Sequence, residues 1–121
     1  MAELERSHRS RRVCAILVAT GAPWAAEAER IIRTQGYAVA SLADLEYADL
    51  VAGPGELRLV VVCAKLFGPS VEARIARLRQ EDAGIRVIVV GAGPRPEEPT
   101  GFVFVPAPFD GERLRRVLPP V

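Results

Sequence analysis

The sequence predicts an α/β fold in which an open, parallel β-sheet is covered by helices on both faces. Two observations carry this. Several short apolar runs are continuous rather than alternating, as in Leu59-Val60-Val61-Val62 and Val87-Ile88-Val89-Val90. A strand with no polar side is buried on both faces, which parallel sheets achieve by laying helices over each. Segments of helical period lie between these runs, and strand–helix alternation builds parallel crossover units. With 121 residues the chain makes one such domain, because two cores would each fall below self-supporting size.

The elements follow in order. Residues 1–12 carry four arginines, one histidine and two glutamates without apolar periodicity. They are expected to form a mobile basic arm ahead of a folded domain spanning 13–121. Strand-like runs occupy 13–19, 37–40, 57–64, 85–90 and 102–105. The first helix presents Trp24, Ala28, Ile31 and Ile32 on one face, with Pro23 at its first position and Gly36 at its close. A second is expected from Ser41, with Asp44 three residues on as a capping-box-like pair, to just before Gly53-Pro54-Gly55. A third runs from Pro69-Ser70 to Asp82, burying Val71, Ile75 and Leu78, and stops at Gly84. The last runs from Asp110 to Leu118 over Leu114 and Val117, until Pro119-Pro120 halts it.

Between the fourth and fifth strands the eleven residues 91–101 contain three prolines, which deny that stretch a normal helix. The expected architecture is therefore a doubly wound, flavodoxin-like sandwich: five parallel strands in order 2-1-3-4-5, the fourth helix reduced or missing.

Composition narrows the function. Sixteen basic and fifteen acidic residues leave a formal charge of +1, without the electrostatic footprint of a nucleic-acid binder. No signal peptide and no membrane-spanning stretch is evident, so a cytoplasmic chain with no membrane partner is expected. Cys14 and Cys63 lie in apolar runs at opposite ends of their strands, which argues for buried thiols rather than a disulfide.

Five segments in order, opening at Ile16, Gly36, Leu59, Ile85 and Ala107, resemble the response-regulator receiver domain. Ile16-Leu17-Val18-Ala19-Thr20-Gly21-Ala22-Pro23 resembles the family's opening strand and loop, and Gly36-Tyr37-Ala38-Val39 its entry to strand two. Leu59-Val60-Val61-Val62-Cys63, with Leu66 and Gly68, resembles the strand that ends in the phospho-acceptor aspartate. Ile85-Arg86-Val87-Ile88-Val89-Val90-Gly91-Ala92 and Ala107-Pro108-Phe109-Asp110 with Leu114 are similar to the family's fourth-strand and Lys-Pro-Phe-Asp signatures. The resemblance spans residues 13–118.

Each position that carries chemistry in the family is changed here. The resemblance puts Thr20 and Gly21 at the acidic pair that holds Mg²⁺, Cys63 at the phospho-acceptor, Gly91 at the switch hydroxyl and Ala107 at the lysine. Mg²⁺ needs carboxylate oxygens, and an acyl phosphate needs a nucleophile and compensating charge. The resemblance thus implies a degenerate, or pseudo-, receiver without Mg²⁺, cofactor or enzymatic activity, acting as a docking module for a signalling protein or a second copy of itself. The rival class is a small-ligand or thiol-redox sensor using the emptied pocket and Cys63.

Other features have plainer roles beside the functional ones. Gly91-Ala92-Gly93 lacks the third glycine and following helix of a dinucleotide turn, and His8 stands alone in the arm with no metal-ligand spacing. Trp24 is either a partner anchor or packing at the start of an amphipathic helix. Arg74, Arg77 and Arg79 mix with Glu72, Glu81 and Asp82 as on a solvated face. The expected interaction surface is the Pro-rich link with Arg95, Glu97 and Glu98, together with Phe102 and Phe104 of the fifth strand. These two face outward if the edge is uncovered; the alternative is that both faces of the strand are covered.

Overall fold

The computed structural model describes residues 14–43, 56–66, 68–91, 102–106 and 108–119. The chain runs β1 (Cys14–Val18), α1 (Ala25–Thr34), β2 (Ala38–Ser41), β3 (Leu57–Cys63), a 3₁₀ turn (Ala64–Leu66), α2 (Pro69–Glu81), β4 (Arg86–Val90), β5 (Phe102–Val105) and α3 (Gly111–Val117). All strand pairs are parallel and the order is β2-β1-β3-β4-β5, as the sequence predicts. The expected basic arm, the expected helix after Ser41 and the Pro-rich link at 92–101 lie outside the described residues.

The continuous apolar strands split their side chains between two cores. Ala15, Leu17, Leu59, Val61, Cys63, Ile88, Val90 and Val105 face α1 and α3, meeting Ala28, Ile32 and Leu114. Ile16, Val18, Val60, Val62, Val87 and Val89 face α2, meeting Ile75 with Val71 and Leu78 at the margin. The sheet's centre is therefore dry on both sides, which is the burial the unbroken runs require.

Local chemistry sets the helix ends. Gly36, at φ +106°, follows α1; its N–H donates to the Arg33 carbonyl and the Tyr37 N–H to that of Ile32. This Schellman arrangement needs the left-handed conformation that glycine adopts without strain. Pro69 occupies the first position of α2, where a missing N–H costs nothing. The Asp110 carboxylate caps α3 by accepting from the Glu112 N–H at 3.0 Å.

Two sequence expectations are corrected. Pro23 is not the first residue of α1: the Ala22 and Ala25 N–H groups donate back to Ala19 and Ala22, so a turn intervenes and Trp24 is the N-cap. Ser41 is the last residue of β2, and its hydroxyl donates to Glu29 rather than capping a following helix.

The short α3 is fastened to α1 along its whole length. Trp24 and Phe109 stack at one end, with ring centroids 5.3 Å apart and planes within 9°. Next to that stack, at the first residue of α3, a Cβ on Gly111 would stand 2.8 Å from Ile31 Cδ1, so the helices approach closely. At the other end the Tyr37 hydroxyl donates to the Pro119 carbonyl at 2.7 Å. Burial pushes the Tyr37 phenol above its usual pKa, with Arg86 and Arg58 opposing. Leu114, fully buried between α3 and the sheet, anchors the joint. Leu114→Ala is expected to lower unfolding free energy by about 2–5 kcal/mol, and Tyr37→Phe by about 1 kcal/mol. Both are read as shifts of the urea midpoint at unchanged slope.

Candidate functional site

In a parallel sheet every strand delivers its carboxyl end to the same edge, where open α/β folds place their sites. That edge carries Thr20-Gly21 after β1, Ser41-Leu42 at the end of β2, Cys63 closing β3, Gly91 after β4 and Val105-Pro106 at β5. Ala107 lies outside the described residues.

These residues divide into two groups. Thr20 and Gly21 are exposed and line a cleft of about 260 Å³ with Leu17, Ala19, Ala25 and Leu42. The cleft opens between the β1 and β2 ends beside the start of α1, and its lining among the described residues is hydroxyl and apolar, with no ionisable side chain. Gly21, at φ +82°, makes the chain reversal after β1 that glycine tolerates best.

Cys63 belongs to the second group and does not line the cleft. Its side chain joins Ala19, Val90 and Val105 in the core facing α1 and α3, with 7% of the residue exposed. Gly91 lies beside it: Cys63 pairs in register with Val90, and a Cβ on Gly91 would stand 3.5 Å from that of Ala64. The Gly91 N–H donates to the Val105 carbonyl at 2.9 Å, with φ at +123°. The β3–β4–β5 end is thus lined, among the described residues, by backbone and small apolar groups. Among the described residues, no cluster of three or more His, Cys, Asp or Glu side chains stands in metal-binding geometry.

The expected interaction residues separate in the same way. Phe102 and Phe104 are partly buried and pack against the core under α2, while Val103 and Val105 turn to the other face. Arg95, Glu97 and Glu98 lie outside the described residues. Trp24 packs at the margin of the α1–α3 core through its stack on Phe109. Ser41 and Leu42 carry no site signal in the sequence, because only the β1–β2 pairing brings them beside Thr20.

No protein-family model matches the sequence, and no curated protein matches it. Solved structures do match the fold. A response regulator receiver domain protein of Bacillus halodurans superposes with a TM-score of 0.68 at 15% identity, over 87% of this chain and 92% of that one. The receiver domain of the hybrid histidine kinase CckA gives 0.65 at 23% identity, over 85% and 93%. An orphan response regulator of H. pylori gives 0.65 at 16% identity, over 88% and 94%. The fold is that of a receiver domain. At these identities the likeness is one of backbone, and the chemistry at the carboxyl edge of this receiver fold must be read from its own residues.

Both cysteines are free. Burial pushes the Cys14 thiol above its usual pKa, and the Glu56 carboxylate adds to the shift. Less thiolate at neutral pH means slower alkylation. Cys14 is therefore expected to react more slowly at pH 7 in the folded chain than in urea, with the gap narrowing as pH rises. Peptide-resolved iodoacetamide labelling checks this.

Proposed function

We propose that this chain is a phosphorylation-independent pseudo-receiver, a non-enzymatic docking module for a signalling protein in a bacterial-type two-component system. The observation that carries the reading is the make-up of the carboxyl edge. Where the receiver fold would hold a metal and a phosphoryl group, this sequence has Thr20, Gly21, Cys63, Gly91 and Ala107. None of these five positions supplies a carboxylate ligand for a hard divalent cation. Without a carboxylate nucleophile and a lysine, an acyl phosphate has neither its bond nor its counter-charge. The retained fold is then a scaffold, and its use lies in surfaces it presents.

The burial of Cys63 favours docking over thiol sensing, because a redox-active thiol needs access and a cationic neighbourhood. The proposed contact surface is the β5 edge, with Phe102 and Phe104 only partly covered and Arg95, Glu97 and Glu98 on the preceding proline-rich link. Proline restricts that link before binding and so reduces the entropy lost on association.

Incubation with acetyl phosphate and Mg²⁺ is expected to leave the intact mass unchanged, and an acid-labile adduct of phosphoryl mass would overturn the reading. Combined Arg95→Glu, Glu97→Lys and Glu98→Lys substitutions are expected to abolish capture of the signalling partner from native extract, whereas Cys63→Ala leaves it intact. The reverse pattern, or rapid alkylation of Cys63 in the folded chain, would instead favour the sensor.

A further inference from the structure

Strand β2 ends the sheet, and its backbone directions follow from the pairing. The Leu42 N–H donates to the Leu17 carbonyl at 2.9 Å. In a parallel ladder alternate residues bond to the same neighbour, so Ala38, Ala40 and Leu42 turn their amides towards β1. Val39 and Ser41 then direct theirs outward. Among the described residues no strand lies on that side. A row of outward N–H and C=O groups is a template for an added strand.

Side chains from α1 lie across this row. The Arg33 Nη2 donates to the Val39 carbonyl at 3.3 Å, one of the outward acceptors. The same guanidinium is held by Glu29, whose Oε2 accepts from Arg33 Nε at 3.1 Å and Nη2 at 2.8 Å. The other carboxylate oxygen, Oε1, accepts from the Ser41 hydroxyl at 3.0 Å. Hydrogen bonds from Arg33 and then Ser41 hold the Glu29 carboxyl below its usual pKa, so the bracket keeps its charge at neutral pH. An ordinary i,i+4 pair ends on its own helix. This one continues onto the strand, filling an acceptor that an incoming strand would use and placing two charges in its path.

We propose that the Glu29–Arg33 bracket is an autoinhibitory contact that prevents β2 from pairing with β2 of a second copy of this chain. The occupant follows from the edge itself. Ala38-Val39-Ala40-Ser41 carries no charge to repel its own image. Antiparallel pairing about a two-fold axis sets the outward donors and acceptors of Val39 and Ser41 against the same groups of the other copy, which closes the assembly as a dimer.

Light scattering over a concentration series tests this on the full chain, with circular dichroism confirming the fold of each variant. Arg33→Ala, and independently Glu29→Ala, is expected to lower the concentration at which dimer forms by about tenfold or more relative to wild type. Adding Ser41→Pro to Arg33→Ala removes an outward N–H without touching the β1 ladder, and is expected to restore the monomer. Variants that associate no more readily than wild type would overturn the proposal. So would an Arg33→Ala dimer that persists with Ser41→Pro, because its contact would lie elsewhere.

Discussion

The constraint on which this molecule depends is that its central strands are apolar on both faces. β1, β3 and β4 present no polar side from Ile16 to Val18, Leu59 to Cys63 or Val87 to Val90, so neither face of the sheet tolerates water. Helices must cover both. Crossovers long enough to carry helices make the strands parallel, and parallel strands bring their carboxyl ends to one edge. The location of the candidate site is in this sense a consequence of core burial.

Burial on two faces also explains the economy of α3. A helix of seven residues is too short to persist alone. It is kept by its contacts with α1: an aromatic stack at one end, close approach through Gly111, and the Tyr37–Pro119 hydrogen bond at the other. Leu114 adds the buried apolar area that anchors it. The two helices form one layer, whereas α2 works alone on the opposite face among the described residues, through Ile75 and its partly buried neighbours.

What the sequence made legible was local or periodic. Unbroken Val and Ile runs announced the two-sided strands, while Gly36, Pro69 and Asp110 marked helix ends through chemistry confined to a few neighbours. Features that depend on distant partners were hidden. Ser41 looks like a helix cap in isolation, but its hydroxyl bonds to Glu29 on another element. Pro23 has the right φ to start a helix, yet the turns from Ala19 delay α1 past it. Of the candidate site, the residue identities at the strand ends could be read directly. Their division into an open cleft by Thr20 and a closed core around Cys63 could not, because it depends on which face each strand-end side chain takes and on the neighbouring strand's register.

The stack of Trp24 on Phe109 gives the molecule an internal spectroscopic reporter. Trp24 is the chain's sole tryptophan, so indole emission arises from one place, where the turn after β1 meets the segment entering α3. Trp24 adjoins Ala25, which lines the cleft, whereas Glu29 and Arg33, further along α1, meet the outer edge of β2. The cleft thus meets the fluorophore through one neighbouring residue, and the outer edge of β2 meets it through α1 and through Ser41, which lines the cleft and bonds to Glu29.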